Sequence, residues 1–269
     1  MADTRGWILA AAAVVLLAAG GAAGYLLGSD SDSESGTTPP AAVERTVTED
    51  QVVTTTTTHR ERPAEPPGWR GGGYPVVGVE RGSKLPVRSS PGGETVKRFG
   101  AKTEFGSPRV LWVAKRRGPW LGVVASELGN DRLGWMRYDE RRLRFGTTPY
   151  SLRVDLTDRT VELRRGDRTV RRVVVSVGRI GSGTPPGRFA VTDIITRGLS
   201  DVYGCCAIAL SARQPNLPPG WIGGDRIAVH GWNGPVGDSA SGGCLRASNR
   251  DIRWLARHVQ LGTPAFIKT

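Results

Sequence analysis

From Tyr150 onward apolar residues recur at every second position, in short runs cut off by turn formers. That two-residue period restricts the region to β structure, because successive strand side chains point to opposite faces. Leu152, Val154 and Leu156 alternate with Arg153 and Asp155 before Thr157-Asp158-Arg159 turns the chain. Val161 and Leu163 alternate again before Arg165-Gly166-Asp167, and Val173-Val174-Val175-Ser176-Val177 follows. Further strands are expected at 189–191, 207–210, 227–230 and 265–267. One helix interrupts the pattern near the end. Ser248 with Asp251 three residues on is a capping signature, and Ile252, Leu255, Ala256 and Val259 then share one face.

Residues 73–145 read as a separate, smaller β unit. Val76-Val77-Gly78-Val79, Leu85-Pro86-Val87-Arg88, Val110-Leu111-Trp112-Val113 and Leu121-Gly122-Val123-Val124 are apolar runs parted by clusters such as Ser90-Pro91-Gly92-Gly93. Their spacing suits a small barrel. Trp112, Trp120 and Trp135 either line a ligand groove or fill its core, and filling a core is the commoner use of such residues.

The N-terminal quarter is of another kind. Residues 7–28 form an uncharged apolar run of 22 residues, with Arg5 before it and Asp30, Asp32 and Glu34 after it. The length suits a membrane-spanning anchor with the N-terminus inside, and a cleaved signal peptide is the competing reading. Either places the remainder outside the cytoplasm. Residues 29–72, with Thr54-Thr55-Thr56-Thr57-Thr58 and Pro63-Ala64-Glu65-Pro66-Pro67, have the composition of a disordered tether. Charge is divided along the same line: residues 29–70 hold eight acids and four bases, whereas 71–269 hold 16 acids and 32 bases. A body of +16 favours polyanions, an anionic wall polymer among them, with a merely solvated arginine-rich surface as the equal alternative. No nucleic-acid-binding motif accompanies the charge, so nucleic acid is not an expected partner.

The chemistry concentrates in Ile227-Ala228-Val229-His230-Gly231-Trp232 and Ser241-Gly242-Gly243-Cys244-Leu245-Arg246. A thiol in a glycine turn with an imidazole close along the chain is a kit for acyl transfer. Cysteine supplies the nucleophile, histidine takes its proton, and backbone amides of the turn can hold an oxyanion. A helix start just after Cys244 helps a thiolate. Cys205 and Cys206 are adjacent to each other and read as small buried side chains. As vicinal residues they make poor paired zinc ligands, so no metal and no cofactor is expected.

Residues 148–269 resemble the YkuD-type L,D-transpeptidase catalytic domain of bacterial cell-wall enzymes. The resemblance rests on His230-Gly231, Ser241-Gly242-Gly243-Cys244-Leu245-Arg246, Asn249 and Asp251, and on Gly183-Thr184-Pro185-Pro186-Gly187-Arg188-Phe189 upstream. Tyr203-Gly204 followed by Ala207-Ile208-Ala209-Leu210 also fits the strand before the histidine. It implies a mainly β fold, a sandwich with one or two helices, with the cysteine under a substrate-covering loop. It implies Cys244 as nucleophile, His230 as base, the Gly231 carbonyl as the group orienting the imidazole, and the amides of Gly243 and Cys244 as oxyanion hole. Arg246, Ser241 and Tyr203 would meet substrate, with Arg246 suited to a carboxylate or, as an equal alternative, to a structural role on backbone carbonyls. Some members carry histidine where this chain has Gly242. Residues 73–145 are similar to bacterial SH3-like domains through Leu85-Pro86-Val87-Arg88-Ser89-Ser90-Pro91 and Gly134-Trp135-Met136.

The implied substrate is a peptidoglycan stem peptide, cleaved with loss of D-alanine and cross-linked through a Cys244 thioester at a membrane-anchored, extracytoplasmic site. Two rivals stand beside it: an L,D-carboxypeptidase using the same residues with water as acceptor, and a non-catalytic wall-binding protein. The sequence carries no signal for an oligomer.

Overall fold

The computed structural model describes residues 67–69, 72–217, 219–221 and 223–269. The apolar run at 7–28 and the tether up to residue 66 lie outside the described residues. Among the described residues no helix is long and apolar enough to cross a membrane.

The described residues begin at Pro67, inside the stretch expected to be tether. Pro67–Trp69 forms a 3₁₀ turn, and Trp69 is buried, its indole N–H donating to the Val76 carbonyl at 3.1 Å and its ring edge-on to Phe145. The reading of 29–72 as tether throughout is corrected here. A single large aromatic buries enough apolar surface to hold its neighbours down despite their Pro and Gly.

Seven strands follow: β1 (Tyr74–Val79), β2 (Leu85–Arg88), β3 (Thr95–Phe99), β4 (Val110–Arg117), β5 (Trp120–Val123), β6 (Gly134–Arg137) and β7 (Leu143–Thr148). They form one antiparallel sheet in the order β3-β2-β6-β5-β4-β1-β7. The small barrel expected of this region does not close through strand pairing: β3 and β7 end the ladder, and β2 meets β6 through a single pair, Arg88 and Trp135. β7 pairs with β1 along its whole length, so the sheet runs through Thr148, past the expected boundary at 145. Leu85, Val87, Phe99, Leu111, Leu121, Val123 and Met136 fill its core.

The second unit contains β8 (Tyr150–Asp155), β9 (Thr160–Arg165), β10 (Arg168–Ser176), β11 (Gly187–Ile195), β12 (Ala207–Arg213), β13 (Arg226–Trp232), β14 (Leu245–Ser248), α1 (Asn249–His258) and β15 (Pro264–Lys268). Its ladder runs β10-β14-β13-β12-β11-β15-β8-β9 and closes on itself. β10 and β11 each pass between two sheets. Residues 168–174 of β10 pair with β9 and 175–176 with β14; residues 187–190 of β11 pair with β15 and 191–195 with β12. Irregularities at Thr169/Arg171 and Val191/Asp193 accompany these passages. Bulged strands that switch sheets are how a sandwich turns its corners, so the expected sandwich and the closed ladder are one architecture. The alternating residues of the sequence pattern, Leu152, Val154, Val161, Leu163, Val173 and Val175, all point into its core.

Ser248 caps α1, its hydroxyl accepting from the Asp251 N–H at 3.1 Å, and Ile252 and Leu255 pack inward. The two units share a small apolar seam in which Trp112 meets Phe266 edge-on at 5.4 Å and both pack with Ala190 and Tyr74. Trp112 and Trp135 are buried, as core residues are.

Candidate active site

The position of Cys244 follows from one parallel pairing. β13 and β14 run side by side in the same direction, with Val229 opposite Leu245 and His230 opposite Arg246. Parallel neighbours need a crossover of about a dozen residues, and residues 233–244 supply it. The register puts His230 and Arg246 on one face, and Cys244 stands in the bend immediately before β14. His230, Cys244, Arg246 and Tyr203 accordingly line a single cavity of about 530 Å³. Two depressions of about 570 Å³ on the first sheet contain no cysteine or histidine.

The imidazole is fixed from one side. His230 Nδ1 lies 2.8 Å from the Gly231 carbonyl oxygen. A carbonyl only accepts, so Nδ1 carries the hydrogen and Nε2 keeps its lone pair. Gly231 must be glycine for reasons of space: a Cβ would lie 2.3 Å from Asn249 Oδ1 and 2.9 Å from the Cys205 nitrogen. Tyr203 stands edge-on to the imidazole at 5.1 Å. His230 is 4% exposed. Burial pulls its pKa down to about 4; the Gly231 hydrogen bond opposes that fall and the Arg246 charge adds to it.

Burial pushes the Cys244 thiol up, against the Ala228 amide and the Arg246 charge, which favour the thiolate. The thiol donates to the Arg226 carbonyl at 3.6 Å. With the imidazole's pKa lowered and the thiol's raised, both groups rest neutral, a thiol and a free base on one cavity rather than a standing ion pair.

The glycine turn is held by its carbonyls. Gln214 Nε2 donates to the Gly242 oxygen at 3.0 Å, and to the oxygens of Ser182 and Gly183. Thr184 Oγ1 donates to the Gly243 oxygen at 2.7 Å. In a trans peptide the N–H points opposite to the C=O, so these two side chains set the direction of the Gly243 and Cys244 amides. The Gly243 N–H is engaged by Ser241 Oγ at 3.1 Å, and Ser241 Oγ donates to the Cys244 carbonyl at 2.6 Å. Of the two amides expected as oxyanion donors, Gly243 would have to release that bond first. Ser241 is almost fully buried, with its hydrogen turned inward. That makes it a brace of the turn, on the wall of the same cavity.

A profile of the L,D-transpeptidase catalytic domain matches residues 149–267. The chain is 33% identical over 130 residues to the YkuD protein of Bacillus licheniformis, across 45% of this chain and 67% of that one. It is 29% identical over 123 residues to the YkuD protein of Bacillus subtilis, with the same shares. The chain belongs to the YkuD family of L,D-transpeptidases. A solved L,D-transpeptidase from Stackebrandtia nassauensis matches at 18% identity and a TM-score of 0.35, over 45% of this chain and 56% of that one, less than two thirds of its length.

Asn249, Asp251 and Arg246 each have defined partners. Asn249 Oδ1 accepts from the Cys205 N–H at 2.8 Å, and its Nδ2 donates to Asn233 Oδ1 at 2.6 Å. Asp251 accepts from the Ser248 hydroxyl and pairs with Arg171, each at 2.7 Å. The Arg246 guanidinium lies 4.0 Å from the centre of the Trp232 ring, on the cavity wall. Cys206 is buried, its thiol pushed up to about 12 by burial and by its hydrogen bond with Cys205. Sequence reasoning missed Gln214, Arg226 and Trp221. Thr184 stands in the quoted Thr-Pro segment, a signal for its importance though not for its role.

Proposed function

We propose that the chain is a cysteine-dependent L,D-transpeptidase acting on peptidoglycan stem peptides. The observation that carries this is the one cavity that His230 and Cys244 both line, with Nδ1 tied to Gly231 so that Nε2 is the free base. The Cys244 sulfur attacks the carbonyl between the L-centre of a diamino acid and D-alanine, and its proton passes to His230 Nε2. The C–N bond then breaks, the imidazolium returns the proton to the departing amine, and D-alanine leaves a thioester on Cys244. An amine of a second stem attacks that thioester, gives its proton to His230, and expels the sulfur, which is reprotonated. Proton transfer accompanies attack because neither resting partner is charged. The Cys244 amide faces the developing oxyanion, and Arg246, stacked on Trp232, receives a substrate carboxylate.

The apolar run at 7–28 anchors the chain, the tether carries the folded units away from the bilayer, and the basic body attracts the anionic wall. The test is mass spectrometry after exposure to a carbapenem, then incubation with a defined stem tetrapeptide. A covalent adduct on the wild type that disappears in Cys244→Ala, with cross-linked dimers from the peptide, is the expected result. Trimmed monomers alone would identify an L,D-carboxypeptidase, and wall binding with no adduct a binding module.

A further inference from the structure

We propose that Glu104, on the first sheet domain, is a positioning residue for the Cys244 site, acting through two arginines at the roots of the loop 214–225. Arg213 ends β12 and Arg226 begins β13, and the two are partners in the ladder. Gln214 N–H donates to the Asp225 carbonyl at 2.7 Å, closing the loop's base. Above that base the loop supplies a wall of the cavity, with Leu217, Trp221 and Gly224 among its residues.

One carboxylate joins both roots. Glu104 Oε2 accepts from Arg213 Nη2 at 3.4 Å, and Oε1 accepts from Arg226 Nη1. Around it the first domain grips Arg213 further. Asn130 exchanges two hydrogen bonds with the Arg213 backbone at 2.7 and 2.9 Å, and the Ser126 carbonyl accepts from Arg213 Nε at 2.8 Å. Next to Glu104, the Thr103 hydroxyl donates to the buried carboxylate of Asp193 on β11.

Isolated surface ion pairs contribute little. This one differs because the Arg226 side chain is only 8% exposed, and without Glu104 its charge keeps only neutral partners, the Leu210 carbonyl at 3.0 Å and the Thr192 hydroxyl at 2.6 Å. The same residue's carbonyl accepts the hydrogen bond of the Cys244 thiol. Gln214, directly after Arg213, holds the Gly242 carbonyl of the catalytic turn. Loss of Glu104 therefore shifts both the thiol's acceptor and the turn's brace, at a distance from the reacting atoms.

The kinetic arm of the test rests on the acyl-transfer reading; the structural arm does not. The full chain is compared with Glu104→Ala, Glu104→Gln and Glu104→Asp, and with Arg188→Ala as control. Arg188 lies over Trp112 at 5.1 Å, a contact between the same two domains away from the loop. Hydrogen exchange of peptides covering 214–225 is expected to speed up on the order of tenfold in Glu104→Ala, with 150–165 unchanged. Carbapenem acylation at saturation is expected to fall about tenfold, with Glu104→Asp restoring most of it and Glu104→Gln intermediate. Glu104→Gln keeps the side chain's size and decides the matter if Glu104→Ala folds poorly. Loop exchange and acylation within about twofold of wild type would overturn the proposal, as would equal effects of Arg188→Ala. A wild type that takes no adduct would refute the acyl-transfer reading alone, and the exchange comparison would still decide whether Glu104 holds the loop.

Discussion

Trp221 lies where a side chain at position 242 would project: a Cβ on Gly242 would come 3.3 Å from the indole Cζ3. The neighbouring Gly243 is confined differently, with φ at +122° and a Cβ that would lie 2.1 Å from the buried Gln214 amide. Trp221 is 44% exposed on a loop and can give way, whereas Gln214 is tied to three carbonyls and cannot.

Two adjacent glycines are thus expected to respond in opposite ways. Gly242→Ala should cost about 1 kcal/mol or less and keep carbapenem acylation within about threefold, its effect falling on KM through the displaced indole. Gly243→Ala should cost about 3 kcal/mol or more, from the left-handed backbone and the clash together, and lose acylation by about a hundredfold. Thermal unfolding and adduct formation on both variants check this. Equal damage from the two substitutions would refute it.

The pH behaviour follows from His230. Its folded pKa, near 4, lies below the ordinary value of 6.5, so between those values the unfolded chain binds the proton and the folded one does not. Stability is therefore complete above pH 6.5 and declines as pH falls toward 4, by about 2 kcal/mol between pH 7 and 5 from this group alone. His230→Gln should flatten that slope in urea unfolding followed against pH. Acylation needs the neutral imidazole and should keep its rate down to about pH 5, with its acid limb near 4. Replacing Arg246 by Gln removes a charge that lowers the pKa and should move the limb upward.

How much of this was legible beforehand depends on the range of the contacts involved. The β8, β9 and β10 alternation was read correctly because burial on one face is written into every second residue, from Leu152 to Val175. β3 was missed because Thr-Val-Lys-Arg-Phe buries only Phe99. β14 was missed because four residues in a parallel pair carry no period of their own. Cys244 and His230 stand out as rare reactive residues in a glycine setting, but the cavity they share depends on a parallel pairing of β13 with β14 that no local pattern encodes. Gln214 and Glu104 were invisible for a related reason. A lone glutamine after a strand and a glutamate in a turn have no signature until the fold brings each against its distant partner.

Asn249 couples the start of the helix to the imidazole. Its Oδ1 sits between Gly204 and Gly231, within 2.4 Å of where a Cβ on either would be, while accepting from the Cys205 N–H. The Gly231 carbonyl held in that sandwich is the one that fixes His230 Nδ1. Asn249→Ala leaves the Cys205 N–H without its acceptor and a gap behind Gly231, which together should cost about 1–3 kcal/mol. The strap behind the imidazole then loosens, the Nδ1 hydrogen bond weakens, and the proton of the neutral ring redistributes between its two nitrogens. Acylation should fall more than stability alone explains at a temperature well below unfolding. Asn249→Asp separates the two effects, because it keeps the acceptor for Cys205 and loses only the Nδ2 bond to Asn233. It should acylate at a rate between the wild type and Asn249→Ala. Imidazole nitrogen shifts in a ¹⁵N-histidine NMR spectrum check the redistribution directly. An unchanged His230 tautomer in Asn249→Ala would show that Gly231 holds its place without help from the helix.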